Sequence, residues 1–151
     1  MKSRLREPHF NSLLATLAGF RYEVRRFLCF SEHAAIGAGL RLQQHQLLLQ
    51  VAGAPESTAV TIAYAAERLG LRHNSVVELV DRSAQQGLLV RISDAHDGRR
   101  VILRLTRKGK HILDRLSVDH ARELNEMAPQ LVKALKHVAL HAQRPSSAEA
   151  K

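Results

Sequence analysis

The chain has 151 residues and carries 23 lysine and arginine residues against 14 aspartate and glutamate residues, a formal net charge of +9. Its length suits one domain, and 45% hydrophobic residues can form a core, which excludes disorder of the whole chain. No apolar run is long enough to span a membrane, and one cysteine excludes a disulfide framework or a multi-cysteine metal site. We expect a cytoplasmic protein without a secretory signal.

The N-terminal part of the chain predicts an arm followed by two helices. Residues 1–9 are mostly polar, and we predict a flexible arm there. Apolar side chains then recur at helical spacing and predict a long helix over about 10–35, after which glycines interrupt the pattern. A second helix is predicted over about 43–52, and a very short strand at 59–60.

Two further helices follow in close succession. Thr61 is a suitable N-cap for a helix over about 61–69, and Gly70 suits its C-terminus. The next helix is predicted over about 74–86, with Asn74 or Ser75 as its cap and Gly87 as its end.

The periodicity then changes from helical to alternating. Residues 88–93 and 101–105 alternate between apolar and other side chains, and Asp97-Gly98 lies between them, which predicts a β-hairpin. This region is strongly basic, because residues 88–110 hold seven basic side chains against two acidic ones. Such a concentration of positive charge suits a polyanionic partner.

The C-terminal part of the chain is predicted to be helical again. Thr106 can cap a helix over about 107–127, and Pro129 is predicted to open a final helix over 129–142. The last residues, 144–151, are polar, and we predict a disordered tail.

Helix, short turn, helix and basic hairpin is the order of a winged helix-turn-helix. An α-helix fits the major groove of B-DNA, so the helix of about 74–86 is predicted to read base edges and the hairpin to flank it as a wing. Arg104 and Arg107, like Arg91, are expected at phosphates. The predicted DNA-binding residues from the helix and the wing are Arg72, His73, Asn74, Ser75, Val77, Glu78, Arg82, Arg91, Arg99 and Arg100.

Several motifs in this region resemble those of the MarR family of bacterial transcriptional regulators. The most specific is DAHDGRR at 94–100 followed by LRLTRKG at 103–109, which matches the family's wing pattern D-x-x-D-G-R and L-x-L-T-x-x-G. AAERLGL at 65–71, VELVDR at 77–82 and GLLVR at 87–91 extend the resemblance, which covers about residues 13–140. By resemblance, Asp97 and Arg99 form the acid–arginine pair of the wing, with Arg99 at the minor groove. The chain departs from the family at Ser83, where many members carry an apolar residue.

The resemblance implies a mainly α fold with a small β-hairpin wing. It consists of one MarR-type domain at 10–143, with a winged helix-turn-helix over about 43–106 and dimerisation helices at 10–35 and 107–142. The family implies a homodimer, and the sequence supports this independently, because the outer helices hold more apolar surface than the small DNA-reading region can cover. The side chains that need a partner are Leu13, Leu14, Leu17, Leu131, Leu135 and Val138.

The functional prediction is a sequence-specific regulator of transcription that binds double-stranded DNA. We expect a homodimeric repressor of a near-palindromic operator, relieved by a small ligand or a chemical signal. An architectural DNA-binding protein of low specificity is the first alternative, and a protein-interaction module that has lost DNA binding is the second. A membrane-surface role is disfavoured, because the basic residues cluster on a hairpin and not along one amphipathic helix.

Other sequence features admit more ordinary interpretations. By resemblance, a small aromatic or phenolic effector is expected to use residues from the set Tyr22, Arg26, His45, His111 and Arg115, although the absence of any physiological ligand is an equal alternative. Cys29 is predicted to be a buried structural thiol and not a redox sensor. The nine histidines suggest no metal site, no cofactor is expected, and no arrangement of nucleophile, base and acid predicts an enzyme.

Overall fold

The structure is a computed structural model that describes residues 8–95 and 97–142. Within these residues the chain forms five α-helices and one antiparallel hairpin, so the predicted mainly α fold with a small β-hairpin is confirmed. The elements are α1 (Pro8–Gly37), α2 (Leu42–Ala52), α3 (Ile62–Leu69), α4 (His73–Gln85), β1 (Leu89–Ser93), β2 (Val101–Leu105) and α5 (Arg107–Ala142). None of the helices in this described part has the length and apolar character needed to cross a membrane.

The two ends of the chain were predicted to be an arm and a tail. Residues 1–7 of the predicted arm and all of the predicted tail, 144–151, lie outside the described residues. Residues 8 and 9, predicted as the end of the arm, already belong to α1. A proline at the first position of a helix is favourable, because its fixed φ angle is helical and the missing N–H has no helical acceptor there.

The chain divides into two compact units. Residues Ser31–Asp119 form one, which we call the central unit, and the described residues on either side of it, 8–30 and 120–142, form the other, which we call the terminal unit. The central unit contains α2, α3, α4 and the hairpin together with the end of α1 and the beginning of α5.

A hydrophobic core holds the central unit together. Leu47 and Leu48 from α2, Leu79 from α4 and Leu88 and Leu103 from the hairpin region are all at most 1% exposed. Full burial of such a side chain stabilises the fold by roughly 1.5–3 kcal/mol. The core therefore fixes the positions of α4 and the hairpin, the two elements that the sequence predicts to contact DNA.

Local sequence explains how α3 begins and ends. The backbone N–H of Tyr64 donates a hydrogen bond of 3.2 Å to the hydroxyl oxygen of Thr61, which confirms the predicted N-cap. Gly70 ends the helix with a φ of +63°, a left-handed conformation that glycine adopts without strain, as predicted. The N–H of Leu71 then donates to the carbonyl of Ala66 at 3.0 Å and closes the turn towards α4.

The hairpin, which we call the wing (β1, β2 and the loop between them), pairs as its alternating sequence predicts. Leu89 faces Leu105 and Ser93 faces Val101 across the two strands. The strand predicted at 59–60 is absent from the described structure, and that prediction was wrong. The segment instead makes one strand-like contact, because the carbonyl of Val60 accepts a hydrogen bond of 2.8 Å from the N–H of Leu103.

Helix α5 is continuous, so the prediction of two helices separated at Pro129 was wrong. A proline inside a helix removes one hydrogen bond and crowds the carbonyl four residues earlier, which usually bends or ends the helix. Here the apolar spacing continues across the proline: Met127, before it, is 3% exposed, and Leu131, after it, is partly buried. Burial of one continuous stripe thus offsets the cost of the proline.

Side-chain contacts between α1 and α5 join the two parts of the terminal unit. The His120 ring meets the edges of Phe27 and Phe30, with ring centroids 5.8 Å and 5.4 Å apart. Further along, the Thr16 hydroxyl hydrogen bonds to the His137 ring. Burial is nevertheless sparse, because Met127 alone is buried among residues 11–30 and 120–140.

Candidate nucleic-acid interface

Helix α4 has one buried face and one exposed polar face. Val76, Leu79 and Val80 pack into the core and are at most 1% exposed. The opposite face carries polar side chains that are all exposed: Asn74, Ser75, Glu78 and Arg82. Residues four apart are neighbours on a helix surface, so Asn74, Glu78 and Arg82 form one row of hydrogen-bonding groups.

The start of α4 differs from the prediction in detail. The N-cap residue is Arg72, with no side-chain capping bond, and the helix begins at His73, so the prediction of Asn74 or Ser75 as cap was wrong. The turn after α3 is short, and the chain enters the helix before Asn74 is reached. Both polar side chains consequently lie exposed in the first turn, where they are not engaged as caps.

The end of α4 explains how the chain accommodates a serine at position 83. Ser83 is fully buried, and its hydroxyl donates a hydrogen bond of 2.7 Å to the carbonyl of Leu79 one turn earlier. A buried hydroxyl with such a partner avoids most of the cost of desolvation. The N–H of Leu88 donates to the carbonyl of Ser83 at 2.9 Å, so this turn also anchors the start of the wing.

The root of the wing is held by Thr106 and Gly109, two residues of the wing pattern. The Thr106 hydroxyl donates to the carbonyl of Gly87 at 2.6 Å and accepts from the N–H of Gly109 at 3.0 Å, which confirms Thr106 as the cap of α5. A Cβ atom on Gly109 would lie 2.0 Å from the carbonyl oxygen of Leu88, so only glycine fits. The first turn of α5 therefore lies directly against the backbone of Leu88, the residue that precedes β1.

The tip of the wing is a hydrogen-bonded loop that presents arginines. A carboxylate oxygen of Asp97 accepts from the backbone N–H of Arg99 at 3.1 Å, and the Asp97 carbonyl accepts from the N–H of Arg100 at 2.9 Å. The Arg100 guanidinium lies 3.7 Å from the carboxylate of Asp94. Asp97 thus orders the backbone of the tip, and the side chain of Arg99 is exposed at its end.

Arg91 has an intramolecular partner that the sequence did not indicate. Its guanidinium forms an ion pair and a hydrogen bond with the carboxylate of Asp81 on α4. The two residues are ten positions apart and belong to different elements, so no local spacing rule connects them. Asp81 is the residue of this region that sequence reasoning missed.

The structure brings the predicted DNA-binding residues together in the central unit. Those of α4 and its cap are exposed, except Val77, which is partly buried. Those of the wing, Arg91, Asp97, Arg99 and Arg100, are exposed as well, as are Arg104 and Arg107. One compact unit therefore presents both a polar helix face and a cationic hairpin.

The five residues predicted for an effector are divided between the two units. Tyr22 and Arg26 line a cleft of about 1130 Å³ between α1 and α5 in the terminal unit, and Arg26 pairs there with Glu23 at 3.0 Å. In the central unit, Arg115 lines a smaller cavity of about 340 Å³. Also in this unit, His45 is buried in α2, and His111 is exposed on α5.

Cys29 is exposed, so the prediction of a buried thiol was wrong. The apolar neighbours that suggested burial lie on other faces of α1. Cys29 follows Tyr22 by seven residues and Arg25 by four, and this row of the helix is exposed throughout. Among the described residues, no group of three or more histidine, cysteine, aspartate and glutamate side chains is arranged to hold a metal ion.

Comparisons with known proteins agree with this architecture. A model of the MarR family matches residues 38–100, which span α2, α3, α4, β1 and the loop of the wing. CouR from Rhodococcus jostii RHA1, solved bound to p-coumaroyl-CoA, is 20% identical with a TM-score of 0.63, and the match covers 97% of this chain and 100% of that chain. No curated protein sequence gives a significant match.

Two other solved structures share the fold. An S. aureus MepR mutant bound to an oligodeoxyribonucleotide is 18% identical with a TM-score of 0.62, and the match covers 83% of this chain and 95% of that chain. A MarR family protein from Bacillus stearothermophilus is 19% identical with a TM-score of 0.66, over 89% and 96% of the two chains. At such identities the likeness concerns the fold.

Proposed function

We propose that this chain is a homodimeric repressor of the MarR type that binds a near-palindromic operator, because a model of that family matches residues 38–100 and solved structures of the family share its fold. The observation that carries this proposal is the pairing, in one compact unit, of the exposed face of α4 with the arginine-bearing tip of the wing. The S. aureus MepR mutant with this fold was solved bound to an oligodeoxyribonucleotide, which supports DNA as the partner.

Base recognition is proposed for α4. Asn74 in the first turn suits an adenine edge, because its side-chain amide can donate a hydrogen bond to N7 and accept one from the N6 amino group at the same time. Glu78 can accept from a cytosine amino group, and Arg82 can donate to guanine or to a phosphate. The remaining candidates at the start of the helix are Arg72, His73, Ser75 and Val77.

The wing is proposed to bind the adjacent minor groove. Arg99 is the contact, because its exposed guanidinium sits at the tip and narrow A·T-rich minor grooves attract cations. Asp97 contributes by ordering the Arg99 backbone, and Arg100 follows as a second cation beside Asp94. Arg104 and Arg107, both exposed, are proposed to contact phosphates.

Homodimerisation is proposed through the terminal unit. Leu14, Leu17 and Leu135 are 38%, 40% and 56% exposed, and an apolar surface of this kind is a liability on a monomer. Leu13, Leu131 and Val138 are partly buried beside them. A two-fold dimer would present two copies of α4 to half-sites about 34 Å apart, which makes the operator near-palindromic.

Relief of repression is proposed to come from a small aromatic or phenolic ligand, or from a chemical signal. Tyr22 and Arg26 offer an aromatic wall and a cation in the cleft of the terminal unit, and His45, His111 and Arg115 are the candidates in the central unit. CouR, which shares the fold, was solved bound to p-coumaroyl-CoA. A coupling of about 1–3 kcal/mol between ligand and DNA would suffice to switch a promoter.

Selection of bound duplexes from a random pool tests the proposal. We expect enrichment of a near-palindrome, bound with a Kd of roughly 10⁻⁸ to 10⁻¹¹ M at physiological salt. Affinity should fall about 10³- to 10⁵-fold between about 50 and 200 mM salt if six to ten phosphates, roughly, are neutralised. Selection that enriches no sequence would contradict the proposal and favour an architectural protein of low specificity.

A reporter assay tests the direction of regulation. The selected operator is placed across a promoter, and the full chain is expressed in the same cells. We expect lower transcription than with an operator scrambled in both half-sites, and recovery when an effective aromatic acid is added. Higher transcription from the intact operator would identify an activator instead.

A further inference from the structure

The ion pair between Asp81 and Arg91 joins the two elements that are proposed to touch DNA. Asp81 lies on α4, three residues after Glu78 and seven after Asn74, so it belongs to the exposed side of the helix. Arg91 lies in the middle of β1, opposite Leu103 of β2. The contact therefore bridges the helix and the wing beyond the turn between them, where the N–H of Leu88 already donates to the carbonyl of Ser83.

The pleat of the hairpin explains why Arg91 reaches α4. Cross-strand partners share a face of the sheet, and Leu89, Leu103 and Leu105 lie on the same face as Arg91. Leu89 and Leu103 are each 1% exposed and pack into the core, so this face looks towards the helices. Arg104, in contrast, pairs with Val90 on the opposite face and is exposed.

The pair also neutralises a negative charge on the exposed side of α4. A carboxylate on the exposed side of a helix that meets a polyanion is repelled by the phosphates. Arg91 neutralises Asp81 locally, and in doing so its guanidinium is engaged within the molecule. The side chains of Arg91 and Asp81 are 34% and 45% exposed, and exposed ion pairs of this kind add little to the free energy of unfolding. The Asp81–Arg91 pair should therefore affect the orientation of the wing against α4 and not the free energy of unfolding.

We propose that Asp81 is a positioning residue for DNA recognition, which acts through Arg91 to fix the wing against α4. This inference rests on the proposed DNA-binding function. With the pair intact, the wing is held at one angle, and Arg99 at its tip reaches the minor groove while Asn74 and Glu78 meet the major groove. Without it, the wing still forms but its tip samples several angles, and each specific complex must restrict that motion.

The test compares full-length wild type with Asp81→Asn, Arg91→Gln and the charge exchange Asp81→Arg/Arg91→Asp. Fluorescence anisotropy gives the Kd for the selected operator and for a scrambled duplex at several salt concentrations. We expect each single substitution to weaken operator binding about 10-fold and to change scrambled-duplex binding by less than about 2-fold. The slope of log Kd against log salt should stay constant, and the exchange should restore at least half of the logarithmic loss.

Two controls keep the readout specific to positioning. Asp114→Asn removes an equal charge from the Lys110–Asp114 pair on α5 and should leave operator binding within about 2-fold. Arg91→Lys keeps the charge and should retain most of the affinity. Amide hydrogen exchange at the wing tip, 94–100, should be faster in Asp81→Asn than in wild type, with an unchanged unfolding midpoint.

Four outcomes would overturn the inference. Tighter binding of both duplexes by Asp81→Asn, with a slope steeper by about one, would show that Asp81 shields Arg91 from a phosphate. A shallower slope for Arg91→Gln, with no effect of Asp81→Asn, would make Arg91 a direct phosphate contact. If wild type binds no duplex at all, the proposed function fails and this inference fails with it. Normal wild-type binding with unaffected single variants refutes the inference alone.

Discussion

The central and terminal units contain apolar side chains in similar helical patterns, yet only one of them buries these side chains. The central unit has a core of fifteen buried apolar residues, whereas Met127 is the one buried residue among 11–30 and 120–140 of the terminal unit. The central unit therefore buries most of its apolar side chains within itself. The terminal unit exposes leucines along both of its helices, which is the pattern expected of a surface that a second molecule covers.

This difference teaches that one apolar pattern can serve two purposes. In α4 the spacing of Val76, Leu79 and Val80 directs one face inward and leaves the polar face exposed. In α1 and α5 the same kind of spacing supplies an outward face, as at Leu17 and Leu135. Substitutions in the central unit should thus change stability or DNA binding, and those in the terminal unit should change association.

The largest effect is expected for Gly109→Ala, which tests how tightly the central unit is packed. The added Cβ would meet the Leu88 carbonyl at 2.0 Å, and neither backbone can move without disturbing the wing. We expect the free energy of unfolding to fall by about 3 kcal/mol in urea titrations. Gly98→Ala is the control, because open space surrounds that position. Equal stability of the two variants would contradict the rigid contact.

Leu135→Asp should break the proposed association of the terminal unit. A carboxylate placed in an apolar interface loses its hydration, and we expect the dimer Kd to rise roughly 100-fold, or about 3 kcal/mol, in sedimentation experiments. Leu49→Asp in the central unit is the matched control, since Leu49 is 45% and Leu135 56% exposed. A monomeric wild type, or equal effects of the two substitutions, would show that the exposed leucines serve another purpose.

Arg99→Ala should distinguish a specific contact of the wing with DNA from the effect of net positive charge on affinity. Loss of the cation proposed for the minor groove is expected to weaken operator binding about 10-fold and to relax the preference for A·T pairs beneath the wing. Arg25→Ala removes the same charge from an exposed position of the terminal unit and should change the Kd by less than about 2-fold. Similar losses in gel-shift titrations would mean that net charge, and not the wing, governs binding.

The smallest effect is expected for Thr61→Ala, which removes the cap of α3. The Tyr64 N–H would lose its partner, and we expect a loss of about 1 kcal/mol in the free energy of unfolding. Thr58→Ala, three residues earlier and outside any helix, should cost less than about 0.5 kcal/mol. A larger loss for the Thr58 variant would place the stabilising contact elsewhere in this turn.

The sequence predicts those features that depend on local chemistry. Thr61, Gly70 and Thr106 act at the helix ends where their side chains or φ angles indicated, and the Asp97-Gly98 hairpin forms between its alternating strands. The candidate interface follows from the same signals, because a polar helix face and a basic hairpin are both visible as patterns.

The remaining features depend on contacts between distant residues. Asp81 and Arg91 meet only because the core places β1 beside α4, and no spacing in the chain indicates it. Cys29 has apolar neighbours in sequence but lies on an exposed row of α1. At Pro129 the local rule favours a break, yet burial along the stripe that includes Met127 keeps the helix continuous.

That proline has a mechanical consequence for α5. Because Pro129 has no N–H, the carbonyl of Asn125 lacks the main-chain donor that other residues of the helix provide. Bending at this point costs less than at any ordinary turn. The segment from Leu131 onwards can adjust its direction against a second chain, while the first turn stays fixed at the wing. In the proposed dimer, such a joint would let the two copies follow small variations in the pitch of a double helix while both keep their DNA contacts.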